Sequence, residues 1–253
     1  MRVLLAALLG ASAAAANVIG GLLIVRRKWS HRYLRYFIAL GAGFMLATAL
    51  LEMVPESLKL RSNAGTAPGI LGDTSIVFVY VLAGYFVVHF FEHTVAPHFH
   101  FGEETHHEEV HGAHASYTAL LGLVIHTFFD GVAIGSSFLI STSLGVIVFI
   151  AIFLHKLPEG FTVASLMLAS GQSRAAALGS SAILGGATLA GVALMFLLRG
   201  EVADALPFSA GVTLYVAASD LIPEVNRDPS VGMPGLVFLG VAIFLTLKIL
   251  FHV

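Results

Sequence analysis

Apolar residues run almost without interruption along the chain, broken at intervals by short polar or charged segments. Such runs show neither the two-residue alternation of a half-buried strand nor the single apolar stripe of a surface helix. Stretches of about 20 apolar residues instead match the roughly 30 Å hydrocarbon core of a bilayer. Eight of them, α1 to α8, fall at about 3–25, 34–57, 75–96, 117–140, 143–168, 174–198, 205–225 and 231–250. Little sequence remains between them, so 1–253 reads as one transmembrane domain of an all-α polytopic membrane protein. The first stretch begins like a cleaved leader, with Arg2 ahead of Val3 to Leu9 and small residues from Ala11 to Ala16. Its apolar run continues to Val25, however, and is read as a span.

Composition narrows the function. With 57% hydrophobic and 11% charged residues, the chain is far from a soluble globule, which carries about a quarter charged residues. A formal charge of −2 offers no basic surface for nucleic acid. The absence of cysteine removes disulfides, thiolate zinc sites, iron–sulfur clusters and cysteine nucleophiles together, so a metal must be held by His, carboxylate, Met or amide. No P-loop is present to drive movement with ATP. Lys and Arg gather between α1 and α2, at Arg26, Arg27, Lys28, Arg32 and Arg35, and placing that loop in the cytoplasm puts both termini outside. The expected location is the cell membrane, inner or plasma.

Two helices carry the same polar ladder. His126-Thr-Phe-Phe-Asp130-Gly lies in the middle of α4 and His155-Lys-Leu-Pro-Glu159-Gly in the middle of α5. Residues i and i+4 share a helix face, so each motif aims a His and a carboxylate the same way. At 1.5 Å per residue, His126 sits about 14 Å in from one side and His155 about 18 Å from the other. Ionisable groups there cost about 2.5 to 3.5 kcal/mol each on insertion scales and need partners. A divalent cation is such a partner, and the imidazole and carboxylate set of His126, Asp130, His155 and Glu159 suits zinc, ferrous iron or manganese. Lys156 places a fixed positive charge where a second ion would otherwise sit, so one metal is expected. Hydrogen-bonded pairs that merely pack two helices are the alternative.

These paired motifs on α4 and α5, with Gly43-Phe-Met45-Leu-Ala47 and Pro55-Glu56 on α2, eight spans and a His-rich loop after α3, resemble the ZIP (Zrt-, Irt-like protein) divalent-metal transporters. The resemblance covers nearly the whole chain. It implies a 3+2+3 helix bundle and homodimers, and it maps metal ligands onto His126, Asp130, His155 and Glu159, with Met45 added by the same route. Two-metal members typically carry Asn after the α4 His and an acid after the α5 ligand; here Thr127 and Lys156 stand at those places. Thr127 is left a minor contact to the metal.

Helix α2 carries Glu52-Met-Val-Pro55-Glu56 near its end and α7 carries Asp220-Leu-Ile-Pro223-Glu224, an apparent internal repeat. With α2 exiting outward and α7 inward, this predicts an inverted repeat of α1–α3 and α6–α8, an arrangement frequent in secondary transporters. Glu52 and Glu56 are expected to collect cations at the outer mouth, and Asp220 and Glu224 to release them at the inner one. The other reading is interfacial acids beside a helix-ending proline. On α3, His89, Glu92 and His93 share a face on the exit path and lead into a flexible cytoplasmic loop at 97–116. That loop carries His98, His100, His106, His107, His111 and His114 among Glu103, Glu104, Glu108 and Glu109, a composition expected to buffer metal or regulate transport, with a plain polar linker as the alternative.

The sequence therefore predicts a secondary transporter moving divalent metal into the cytoplasm, zinc first among ferrous iron, manganese and cadmium. The metal is cargo, and no catalytic cofactor is expected; the partners are metal ions and the lipid bilayer. A membrane-embedded metal sensor or store leaves the buried ladder unexplained. An intramembrane metallohydrolase lacks a free general base once all four groups are ligands.

Overall fold

The computed structural model describes residues 1–26, 31–63, 72–95, 113–227 and 232–251. Among them there is no strand, and eight helices are long and apolar enough to cross a membrane. Helix α1 spans Arg2–Arg26, α4 Ala113–Ile140, α5 Thr142–Ala169, α6 Arg174–Leu197 and α8 Gly232–Phe251. Three spans are composite. In α2, His31–Thr48 passes through a π-helical turn, Ala49–Met53, into Val54–Asn63. In α3, Gly72–Phe90 continues into the π-helical Phe91–Val95, and in α7, Val202–Tyr215 passes through Val216–Leu221 into Ile222–Asn226.

The eight expected spans are all found, with α2 running on to Asn63 instead of 57 and α7 ending at Asn226, one residue from the expected 225. Pro55 and Pro223 do not end their helices, which continue to Asn63 and Asn226. A proline cannot donate to the carbonyl four residues earlier. The π turns just ahead of both prolines widen the helix there and let it continue. Helix α4 also starts at Ala113, inside the range read as loop. The histidines and glutamates of that loop from His98 to His111 lie outside the described residues, as does the side chain of His114.

Polar side chains set the helix starts that position the site. Ser141 accepts from the Leu144 amide and Ser173 from the Ala176 amide, each at 3.1 Å, satisfying one of the free N–H groups of a first turn. Because Ser141 alone separates α4 from α5, the two helices form a tight antiparallel hairpin. Gly171, at φ 80°, ends α5 in the left-handed conformation that favours glycine.

The packing repeats itself. Helix α1 lies on α5 as α6 lies on α4, α2 lies on α8 as α7 lies on α3, and α1 also meets α6. Each contact is made by small residues. A Cβ added to Gly160 would overlap the Asn17 carbonyl and one on Gly20 the Leu157 carbonyl; Gly131 and Gly191 stand in the same relation to Thr188 and Phe128. In α2 against α8, Gly43 and Gly240 meet the carbonyls of Val237 and Leu40, and in α3 against α7, Gly84 and Gly211 meet those of Phe208 and Val81. In a bilayer, where helix association depends on close backbone approach rather than on apolar burial, these contacts hold the bundle together. Gly160→Ala is expected to push α1 off α5 and lower the detergent melting temperature, in line with overpacking costs of about 1 to 3 kcal/mol. An unchanged melting temperature would show that α1 does not rest on this contact.

Candidate metal centre

His126 and His155 stand at the midpoints of two 28-residue helices, and the hairpin at Ser141 brings them to one level. Their rings lie 6.2 Å apart between centroids. The carboxylates of Asp130 and Glu159, one turn further along each helix, converge on the same point. One ligand atom from each of the four residues lies within 4.8 Å of every other, and all four side chains are at most 1% exposed. The sequence ladder is thus assembled as a single cluster.

Its hydrogen bonding is incomplete in an instructive way. The Nδ1 of His155 lies 3.3 Å from the Ala151 carbonyl, an acceptor, so that nitrogen carries the proton and Nε2 presents its lone pair. That lone pair faces Asp130 Oδ2 at 3.2 Å. Two acceptors meet there, and the cation beside them is the Lys156 ammonium, 2.6 Å from that same oxygen. His126 Nε2 lies 3.7 Å from Asp130 Oδ2 and 3.6 Å from Glu159 Oε1, too far for hydrogen bonds. Both nitrogens of His126 and Asp130 Oδ1 are buried with no hydrogen-bond partner among the described residues. Buried polar atoms left unpaired cost about 1 to 3 kcal/mol each, so such a cluster must be justified by what it binds.

Lys156 enters the same cluster from α5, fully buried, with Nζ 2.6 Å from Asp130 Oδ2 and 2.5 Å from Glu159 Oε2. It takes Oε2 of Glu159, whose Oε1 faces His126, and on Asp130 it shares Oδ2 with both histidines. Thr127, also fully buried, donates to Glu159 Oε1 and lies 3.5 Å from Lys156 Nζ, so it orients the Glu159 carboxylate. Met45 is fully buried in the apolar cluster it shares with Phe44, Leu123 and Phe161.

The outlying acids divide into two groups. Glu52, 4% exposed, sits in the π turn of α2 and pairs with Lys248 of α8 at 2.5 Å, while Glu56 pairs with Lys59 at 3.1 Å. In the second group Glu92 lies within electrostatic reach of Tyr215 and Asp220. Arg227 is 3.3 Å from Glu224, and His89 stacks on His93 with centroids 4.1 Å apart. Sequence reasoning did not single out Lys248, Tyr215 or the Tyr85–Ser219 hydrogen bond of 2.8 Å. None belongs to a motif, and only the fold brings them to the acids.

A family model described as ZIP Zinc transporter matches residues 2–118 and 103–248. The chain is similar to Zinc transporter ZIP9-A of Xenopus laevis, 27% identical over 259 residues, which cover 85% of this chain and 84% of that protein. It is also similar to Zinc transporter zipt-7.1 of Caenorhabditis briggsae, 26% identical over 76% of this chain and 62% of the relative. A shorter match, 31% identical over 127 residues, falls on Zinc transporter SLC39A7 of Mus musculus and covers 46% of this chain and 27% of that protein.

Proposed function

The chain belongs to the ZIP zinc transporter family, a family of transporters and not enzymes, and from that premise we propose that it moves divalent transition-metal ions, zinc foremost, into the cytoplasm. The observation that carries this reading is the cluster of His126, Asp130, His155 and Glu159, four groups of metal-binding type buried near the midpoints of their helices, with His126 and Asp130 keeping polar atoms that have no hydrogen-bond partner among the described residues. Imidazole nitrogen and carboxylate oxygen are the donors zinc takes, with ferrous iron, manganese and cadmium as the other candidates. The ion sheds water onto these groups, and the site holds one ion because the Lys156 ammonium neutralises the two carboxylates. Protons compete with the metal, since binding needs neutral imidazole and ionised carboxylate; acidification on the loading side therefore weakens binding.

The inverted repeat and the 3+2+3 grouping are part of the same proposal. Support comes from contacts that recur when α1–α3 are exchanged for α6–α8 and α4 for α5, and from π turns ahead of Pro55 and Pro223. The acids then lie at two opposite mouths, Glu52 and Glu56 at the outer and Glu92, Asp220 and Glu224 at the inner, with His89 and His93 beside the latter. The proposed membrane is the cell membrane, with both termini outside.

The test is uptake of zinc, ferrous iron, manganese and cadmium, each alone, into proteoliposomes holding the purified chain. Saturable uptake above empty vesicles is expected, and none for any of the four ions would overturn the reading. Removing residues 98–114 is expected to change the rate or its response to metal while uptake persists. Complete loss would show that this segment belongs to the conduction path and does not merely buffer.

A further inference from the structure

The mouth that holds Glu52 is built differently from the mouth that holds Asp220. Pro55 has no N–H, so the Leu51 carbonyl four residues earlier loses its helical donor. Lys248, arriving from α8, takes its place: Nζ lies 2.7 Å from Leu51 O and 2.5 Å from Glu52 Oε2. The Glu52 side chain is 4% exposed, whereas that of Lys248 is 30% exposed and reaches the edge of the bundle. A main-chain carbonyl and a carboxylate oxygen thus converge on one cation. Those oxygens are donors that hard and borderline divalent ions accept. The cation now held is a point charge on a flexible four-carbon stem, able to swing away.

A second observation comes from the repeat. Val81 and Gly84 on α3 and Val237 and Gly240 on α8 occupy equivalent contacts. The spacing that relates those pairs carries Glu92 onto Lys248. At the Asp220 mouth the equivalent position is therefore a second carboxylate, and Glu92 Oε2 and Asp220 Oδ1 are buried without hydrogen-bond partners among the described residues. One mouth pairs its buried acid with an ammonium; the other faces acid with acid.

We propose that Glu52 and the Leu51 carbonyl form a divalent-cation site at the α2–α8 mouth, filled by the Lys248 ammonium until a metal ion displaces it. Lys248 is the tethered competitor that keeps this site shallow. Without it, a buried carboxylate and an undonated carbonyl hold the ion, and the mouth becomes a trap. The order in which an ion meets this site and the midplane cluster rests on the transport reading, but the binding itself does not.

Two measurements test it. In a chain carrying His126→Ala and Asp130→Ala, which disable the midplane cluster, Lys248→Met is expected to add one zinc ion per chain by equilibrium dialysis. That ion should be lost again on adding Glu52→Gln. No gain of zinc overturns the proposal. In proteoliposomes with the midplane cluster intact, Lys248→Met is expected to lower KM for zinc severalfold and kcat with it, and Lys248→Arg to restore both. A KM unchanged or raised points to helix packing alone and overturns the proposal. If the methionine variant does not fold, Lys248→Gln, which keeps one donor for Leu51, is read the same way. A chain that shows no uptake but gains the dialysed zinc refutes the transport reading and leaves this site standing.

Discussion

Replacing His126 with alanine is expected to bring saturable zinc uptake down to the level of empty vesicles while the protein still folds as an eight-helix bundle. The loss follows from what His126 offers. Neither ring nitrogen has a hydrogen-bond partner among the described residues, so the ring contributes little to the apo fold that alanine would forfeit. Its Nε2 nevertheless lies 3.6 to 3.7 Å from a carboxylate oxygen on each helix, facing the space those groups share. Deleting it removes a nitrogen donor and leaves two carboxylates already committed in part to Lys156. His155→Ala is expected to abolish uptake as well, but its ring is tied to the Ala151 carbonyl, so some stability goes with it. Circular dichroism and size exclusion beside the flux assay separate the two losses. Flux at the unmodified level in a folded His126→Ala protein would remove the midplane cluster from the path.

The central ladder was legible in the sequence because it depends on local geometry alone: a helix places i and i+4 on one face, whatever surrounds it. The eight spans were legible for a similar reason, since bilayer thickness dictates their length. The π-helical turns ahead of Pro55 and Pro223 were not. Such turns carry no distinctive residue pattern. Lys248 was equally hidden. As a basic residue near the end of the last span, it reads as an interfacial anchor, and its pairing with Glu52 needs α8 laid across α2. That crossing is set by Gly43 and Gly240, whose contact partners are carbonyls and hence invisible in the sequence.

Lys156→Asp is expected to convert a one-metal centre into a two-metal one, countable by elemental analysis of the purified protein. Lys156 is fully buried and bonds both carboxylates, so its ammonium occupies a place a second cation would take. Removing one partner of a buried ion pair typically destabilises by about 3 to 5 kcal/mol, because the remaining charge is left uncompensated. In this variant three carboxylates face one another, and the apo protein is expected to melt well below the unmodified chain. Two zinc ions supply the missing charge, so added zinc should raise the melting temperature far more in the variant. Lys156→Met separates charge from ligation: it removes the ammonium without adding an oxygen, and should destabilise the apo protein while still binding one metal. A single metal in both the unmodified and the aspartate protein, with equal stabilisation by zinc, would mean that Lys156 serves packing and does not stand in for an ion.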